Sequence, residues 1–137
     1  MSTVANELVV STQINASPER VWQVLFTETS SWWPELSFEP HVGGNLKEVW
    51  RHEGATYRID GHISGIVPNK RLQYVWLEPG WEEPLLVFIT LEVKGDGTLV
   101  SATERGFESL GDGAEVYSDH YKGWKSLLAS LKEQVER

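Results

Sequence analysis

The sequence contains no cysteine. Disulfide bonds, zinc–thiolate sites, iron–sulfur clusters and a cysteine nucleophile are therefore excluded. The four histidines show no spacing typical of a metal site, and the sequence has neither a glycine-rich phosphate loop nor a serine nucleophile turn. We therefore expect no metal and no organic cofactor.

Basic residues are scarce. The chain has 12 Lys and Arg against 20 Asp and Glu, which gives a formal net charge of −8. Nucleic-acid binding depends on clustered Lys and Arg that contact phosphates. The composition therefore argues against a nucleic-acid partner.

Long apolar runs are also missing. No stretch approaches the roughly 20 residues of a membrane-spanning helix. Residues 1–8 lack the basic segment and the following apolar segment of a secretion signal. We therefore predict no membrane insertion and a cytoplasmic location.

Aromatic residues, by contrast, are abundant, with seven Trp, four Tyr and four Phe in 137 residues. A chain of this length buries roughly two-thirds of the surface that its unfolded form exposes, so we predict one domain over residues 1–137. Large aromatic side chains fill a core or line a pocket. We expect both uses here.

The N-terminal part predicts a strand followed by short helices. The strand covers residues 7–14, and Ser17 and Pro18 then form a helix start, because Ser caps free backbone N–H groups and Pro suits the first helical position. Apolar residues recur at helical spacing after this start, at Val21, Trp22, Leu25 and Phe26. We expect a second short helix or turn at Trp32-Trp33-Pro34.

The remainder predicts a meander of strands and a long terminal helix. Five segments rich in β-branched and aromatic residues are separated by turn signals, at 46–51, 57–66, 71–78, 85–93 and 98–107. Residues 115–136 form an amphipathic helix whose apolar stripe is predicted at Tyr117, Tyr121, Trp124, Leu128, Leu131 and Val135. Gly123 inside this helix is tolerable if the helix approaches the sheet closely.

The order of these signals carries a resemblance to a known family. They run from Ser17-Pro18 through Trp32-Trp33-Pro34, Gly43-Gly44, Pro68 with Arg71-Leu72, and Gly106-Phe107 to Gly123-Trp124. This order resembles the Hsp90 ATPase activator homologue-like branch of the START-related (SRPBCC) superfamily. The resemblance implies an α+β helix-grip fold, in which a curved antiparallel sheet wraps around a long C-terminal helix, with two short helices near the N-terminus and an internal cavity.

Strand alternation predicts which side chains face that helix. In 85–93 the apolar set is Leu85, Val87, Ile89, Leu91 and Val93, and in 71–78 the more aromatic set is Leu72, Tyr74 and Trp76. In the last strand the set Val100, Ala102 and Glu104 places a carboxylate inward. From these positions we predict a ligand-binding pocket formed by Trp33, Tyr74, Trp76, Val87, Ile89, Ala102, Glu104, Tyr121 and Trp124.

Several of these residues have a simpler interpretation. Glu104 is either an interior anchor for a polar ligand group or a surface carboxylate beside Arg105. The Trp32-Trp33 pair is either a gate over the cavity or part of the core. His62 shares its alternation with polar residues, which favours an exposed cross-strand histidine.

Three classes of function remain open. The first, which the aromatic content and the resemblance favour, is the binding of a small hydrophobic molecule, aromatic or lipid-like, in the internal cavity. The second is a chaperone-linked interaction module of the Hsp90 ATPase activator type. The third is an enzyme similar to a polyketide cyclase or aromatase, in which a similar cavity orients a flexible chain. Only Glu104, His62 and the tyrosines could serve this third class, so we favour a protein that is not an enzyme and predict no catalytic residue.

Overall fold

The computed structural model describes residues 6–137. Seven strands and two α-helices follow one another as β1 (Glu7–Ile14), α1 (Pro18–Trp22), β2 (Leu36–Phe38), β3 (Asn45–His52), β4 (Ala55–Val67), β5 (Arg71–Leu77), β6 (Leu85–Lys94), β7 (Gly97–Arg105) and α2 (Gly113–Val135). Single turns of other helix types follow α1 and β7, at Gln23–Thr27, Thr29–Ser31 and Phe107–Ser109.

The predicted helix start is confirmed. The Ser17 hydroxyl accepts a hydrogen bond from the backbone N–H of Arg20 at 3.3 Å, and Pro18 occupies the first turn. The helix then widens into the π-type turn Gln23–Thr27, and the turn Thr29–Ser31 follows. The second short helix therefore ends just before the tryptophan pair at which we expected it.

One antiparallel sheet contains all seven strands, in the order β1-β7-β6-β5-β4-β3-β2. The sheet is curved and α2 packs against it, which is the predicted α+β helix-grip fold. The five predicted middle strands are β3 to β7. The short edge strand β2, which pairs with β3, was not predicted.

Close packing between strands requires a glycine in β4. A Cβ atom built on Gly61 would lie 2.0 Å from the carbonyl oxygen of Val75, so no other residue fits without a backbone shift. Further along β4 the pairing with β5 shifts register between Ile63 and Gly65. Such a bulge increases the local twist of a strand and helps a sheet to bend.

The buried face of α2 differs from the prediction at one position. Trp124, Leu128, Leu131 and Val135 are buried as expected, but Tyr121 is 43% exposed and its ring packs beside Lys125. A helix turns by about 100° per residue. Relative to Trp124, position 120 is therefore offset by about 40° and position 121 by about 60°, and His120 takes the inner position that we assigned to Tyr121.

Two further expectations are wrong. Val93 is 71% exposed because it lies beside the β6–β7 turn, beyond the end of the core. A Cβ atom on Gly123 would meet no other atom within 4 Å, so this glycine does not serve close contact with the sheet. Within residues 6–137, none of the helices combines the length and apolar character needed to cross a membrane.

Candidate functional site

A cavity of about 270 Å³ lies between the inner face of the sheet and α2, and it opens to solvent on one side. Strands β3, β4, β5 and β7 form one wall and α2 forms the other. The lining residues are Trp33, Glu48, Trp50, Ile59, Tyr74, Trp76, Glu78, Glu104, Val116, Asp119, His120, Gly123, Trp124 and Leu127.

Five of the nine predicted pocket residues line this cavity, namely Trp33, Tyr74, Trp76, Glu104 and Trp124. Val87, Ile89 and Ala102 face the interior as predicted but are fully buried in the core outside the cavity lining. Tyr121 lies on the outer face of α2, because the rotation of about 100° per residue turns position 121 away from the buried face. Binding by the five lining residues stays a prediction.

The strand register explains why residues distant in sequence meet here. Tyr74 on β5 is opposite Val87 on β6, and Val87 is opposite Glu104 on β7. Residues directly opposite one another in an antiparallel sheet point to the same face. Tyr74 and Glu104 therefore share the inner face in one row across the sheet.

Aromatic rings form the floor and one side of the cavity. The ring centroid of Trp33 lies 5.6 Å from that of Trp124 in an edge-to-face arrangement, and 6.1 Å from that of Trp76. The Tyr74 and Trp76 rings are 6.2 Å apart. Trp33 is thus a wall of the cavity, whereas Trp32 is a core residue whose indole N–H donates to the backbone oxygen of Leu25.

His120 is held between two carboxylates at the cavity wall. Its Nδ1 lies 2.7 Å from Oε1 of Glu104, and its Nε2 lies 3.0 Å from Oε2 of Glu78. Burial alone would lower the pKa of His120, but the hydrogen bonds and charges of the two carboxylates outweigh burial and raise this pKa to about 10. His120 is therefore an imidazolium at neutral pH, with both ring nitrogens donating.

Glu78, just beyond β5, receives a second donor from that strand. The indole N–H of Trp76 donates to Oε2 of Glu78 at 3.0 Å. Burial would raise the pKa of Glu78, but the hydrogen bonds from His120 and Trp76 outweigh it, so the pKa is lowered. The ring of Trp81, in the β5–β6 connection, lies 6.4 Å from the His120 ring and screens this side of the site.

Glu48 lies in the cavity wall in a less favourable environment. It accepts a hydrogen bond of 2.7 Å from the indole N–H of Trp33. Burial raises its pKa, the Trp33 hydrogen bond lowers it, and the charges of Glu35 and Glu78 add to the rise, so the net result is a raised pKa. Among residues 6–137, no cationic side chain lies within ion-pair distance of Glu48.

Tyr74 carries a hydroxyl group without a partner. The residue is only 1% exposed, and its oxygen has no hydrogen bond within the described chain. Burial, followed by the negative charges of Glu104 and Glu48, raises the pKa of Tyr74 well above its usual value. Because an unsatisfied buried hydroxyl costs free energy, it is a natural contact for a molecule in the cavity.

These side chains limit the chemistry of the site. His120 is protonated and hydrogen-bonded at both nitrogens, so it is a poor general base. Tyr74 stays a phenol, and Glu48 retains acceptor capacity. Within the part of the chain that is described, no three His, Asp or Glu side chains converge in a metal-binding arrangement.

The sequence did contain signals for the polar residues that we missed. Glu48 alternates with Leu46 and Trp50 on β3, and Glu78 continues the alternation of Tyr74 and Trp76 just beyond β5. His120 precedes Trp124 by four residues, which places it on the same helix face. Extending each pattern by one step would have found them. Of the two interpretations of Glu104, the interior one is correct and the surface one is wrong, since the residue is 3% exposed and faces inward.

Comparisons with known proteins agree with this architecture. The model of a family described as "Activator of Hsp90 ATPase homolog 1-like protein" matches residues 15–136. Protein MLL2253 from Mesorhizobium loti has a similar structure, with 26% identity, a TM-score of 0.79, and coverage of 96% of this chain and 97% of that one. No curated protein matches the sequence.

Two other solved structures share the fold at lower identity. The Aha1 dimer from Colwellia psychrerythraea is 22% identical with a TM-score of 0.75, over 96% of this chain and 97% of that one. DynU16, from the dynemicin biosynthetic locus, is 18% identical with a TM-score of 0.78, over 96% of this chain but only 48% of that one.

Proposed function

Since the chain belongs to the family of activator of Hsp90 ATPase homolog 1-like proteins, as its sequence resemblance predicted, we propose that it binds a small, mostly apolar molecule in the cavity between the sheet and α2. The cavity is the observation that carries this proposal. A protein that acts only through its surface has no need of a solvent-open interior space with aromatic walls and polar groups that point into it.

The lining suits a ligand with an aromatic or otherwise flat apolar body. Trp33, Trp76 and Trp124 offer large faces and edges for contact, and burial of apolar ligand surface contributes about 25 cal/mol per Å². Tyr74 and Glu48 supply polar contacts that orient the ligand. Small-molecule pockets generally combine a mostly apolar lining with a few polar groups of this kind.

Binding fits the electrostatics better than catalysis does. A general base at neutral pH needs a free lone pair, and the raised pKa of His120 leaves it protonated. An enzyme of the polyketide cyclase kind would have to rely on orientation of its substrate and on Tyr74 as a hydrogen-bond donor. The similarity to DynU16 extends to the fold alone.

Titration tests the proposal directly. Flavonoids, fatty acids and polyketide-like aromatic compounds are added to the protein, and tryptophan emission and the melting temperature are followed. We expect at least one class to change both, because four tryptophans line the cavity. If no compound changes either signal, the binding proposal loses its support.

A variant that narrows the cavity sharpens this test. Gly123 lies at the cavity and has free space beyond its Cα atom, so Gly123→Leu should block binding without unfolding the helix. Ala129→Leu is a matched control, since position 129 is exposed on the same helix and outside the cavity lining. Loss of binding in both variants would contradict an internal site.

Family membership supports a second candidate, the chaperone-linked interaction module. The test is the ATPase rate of a purified Hsp90-type chaperone with and without this protein, measured as phosphate release. Stimulation that persists in Gly123→Leu would assign this activity to the surface of the protein rather than to the cavity. The cytoplasmic location predicted from the sequence is compatible with both candidates.

A further inference from the structure

We infer that the ligand is an organic cation, a protonated amine attached to an apolar body. This inference rests on the proposed function and names the chemical class that the cavity would select. It depends on three features of the lining, which are its charge, a carboxylate and a hydroxyl that lack particular partners, and its tryptophan faces.

The lining is strongly acidic. Four carboxylate residues contribute to it, Glu48, Glu78, Glu104 and Asp119, and the protonated His120 is its one basic member. Glu78 and Glu104 share that histidine through the hydrogen bonds described above. No Lys or Arg stands among the lining residues of the described chain, so the cavity has an excess of negative charge. Anionic ligands such as fatty acids would be repelled.

Two groups at the cavity lack the partner that an ammonium group would supply. Within residues 6–137, Glu48 accepts a hydrogen bond from Trp33 but has no cationic side chain within ion-pair distance, and the buried hydroxyl oxygen of Tyr74 has no hydrogen bond. Glu48 and Tyr74 both line the same cavity. An ammonium N–H donates to either oxygen and brings the missing positive charge.

The aromatic walls favour the same class of ligand. The face of a tryptophan attracts a cation within about 6 Å of the ring centroid, and this attraction increases when water is excluded. Trp33, Trp50, Trp76 and Trp124 all line the cavity. Aromatic faces combined with carboxylates hold an ammonium group more tightly than either kind of group does alone.

Three probes of similar size and different charge test the inference. They are 2-phenylethylamine, 2-phenylethanol and 3-phenylpropanoate, which are a cation, a neutral molecule and an anion at neutral pH. Affinity is measured by calorimetry and by the change in tryptophan emission. We expect the amine to bind at least about tenfold more tightly than the alcohol, which corresponds to one charged hydrogen bond, and the carboxylate to bind most weakly.

Matched variants identify the groups that recognise the charge. Glu48→Gln keeps the side-chain shape and should weaken amine binding by about tenfold while leaving alcohol binding nearly unchanged. Glu92→Gln removes the same charge at an exposed position of β6 and should have no effect on either probe. Tyr74→Phe should weaken amine binding without loss of stability, because it removes an unsatisfied hydroxyl.

The outcomes separate the two proposals. Equal or stronger binding of the alcohol or the carboxylate overturns the cation inference and leaves the binding function intact. Amine binding that Glu48→Gln and Glu92→Gln weaken equally also overturns it, since the effect then comes from net charge. If none of the three probes binds, and the wider panel of compounds also fails, the proposed binding function fails together with the inference.

Discussion

Replacing His120 with Gln should reveal a pH-dependent contribution to stability. The two hydrogen bonds from His120 to Glu104 and Glu78 raise the pKa of the histidine from 6.5 to about 10 in the folded protein. Below pH 6.5 the histidine is protonated in both the folded and the unfolded state. Between pH 6.5 and 10 only the folded state holds this proton, so the stabilisation is lost as the pH rises.

The magnitude follows from proton linkage. One proton bound by the folded state alone lowers the free energy of unfolding by about 1.4 kcal/mol for each pH unit of increase. Over the interval from 6.5 to about 10, the loss reaches at most about 5 kcal/mol. This is a large fraction of the roughly 5–15 kcal/mol that stabilises an ordinary domain.

The assay is urea unfolding of the wild type and His120→Gln at several pH values between 6 and about 10. The variant should be much less stable than the wild type near pH 6.5, and the difference should shrink as the pH rises. His62→Gln is the control, because His62 is an exposed histidine on β4. Its stability should follow that of the wild type at every pH.

A second measurement covers the case in which His120→Gln does not fold. The ring signals of His120 in the wild-type protein, followed by NMR, should not titrate below pH 8. Parallel stability curves for wild type and His120→Gln, or a His120 titration near pH 6.5, would refute the claim that Glu104 and Glu78 hold His120 in its protonated form.

Three further predictions concern the helix and the site. Trp124→Ala should lower the free energy of unfolding by about 3–5 kcal/mol, since the indole is buried against Trp33; an unchanged urea midpoint would contradict this. Gly123→Ala should raise stability by up to about 1 kcal/mol, because the added methyl group has free space; a lower melting temperature would argue against that space. Glu104→Gln should lower the pKa of His120 by removing one of its two carboxylate partners, which NMR titration of the ring detects; an unchanged pKa would show that Glu78 alone holds the proton.

The sheet and the helices were predictable because their signals are local. Alternation within β5 and β6 and the Ser17-Pro18 helix start depend on neighbouring residues, and the structure agrees with both. The predictions of strands and of buried strand residues were wrong where an alternating pattern ends or is too short to detect. Val93 continues the alternation of β6 beyond the edge of the core, and the short strand β2 has too few residues for any pattern to be visible.

The site was only partly predictable. The alternation in β7 placed Glu104 inward correctly, and the aromatic residues Trp33, Tyr74, Trp76 and Trp124 reached the cavity. The partner of Glu104, His120, and the second carboxylate on that histidine, Glu78, were not foreseen, because they come from α2 and from the residue just beyond β5. Neighbouring positions on a helix, such as 120 and 121, differ in direction by about 100°, so an error of one residue exchanges a partly buried histidine for an exposed tyrosine.

The sequence by itself determined the fold class and the aromatic character of the interior, because helix and strand periods specify which side of an element is apolar. Only the tertiary structure decided which of the inward residues meet. The register Tyr74–Val87–Glu104 and the approach of α2 bring one histidine between two carboxylates. The distances that decide charge and hydrogen bonding here join residues 16 and 42 positions apart in the sequence. They depend on how the helix lies across the sheet, and no local pattern encodes that placement.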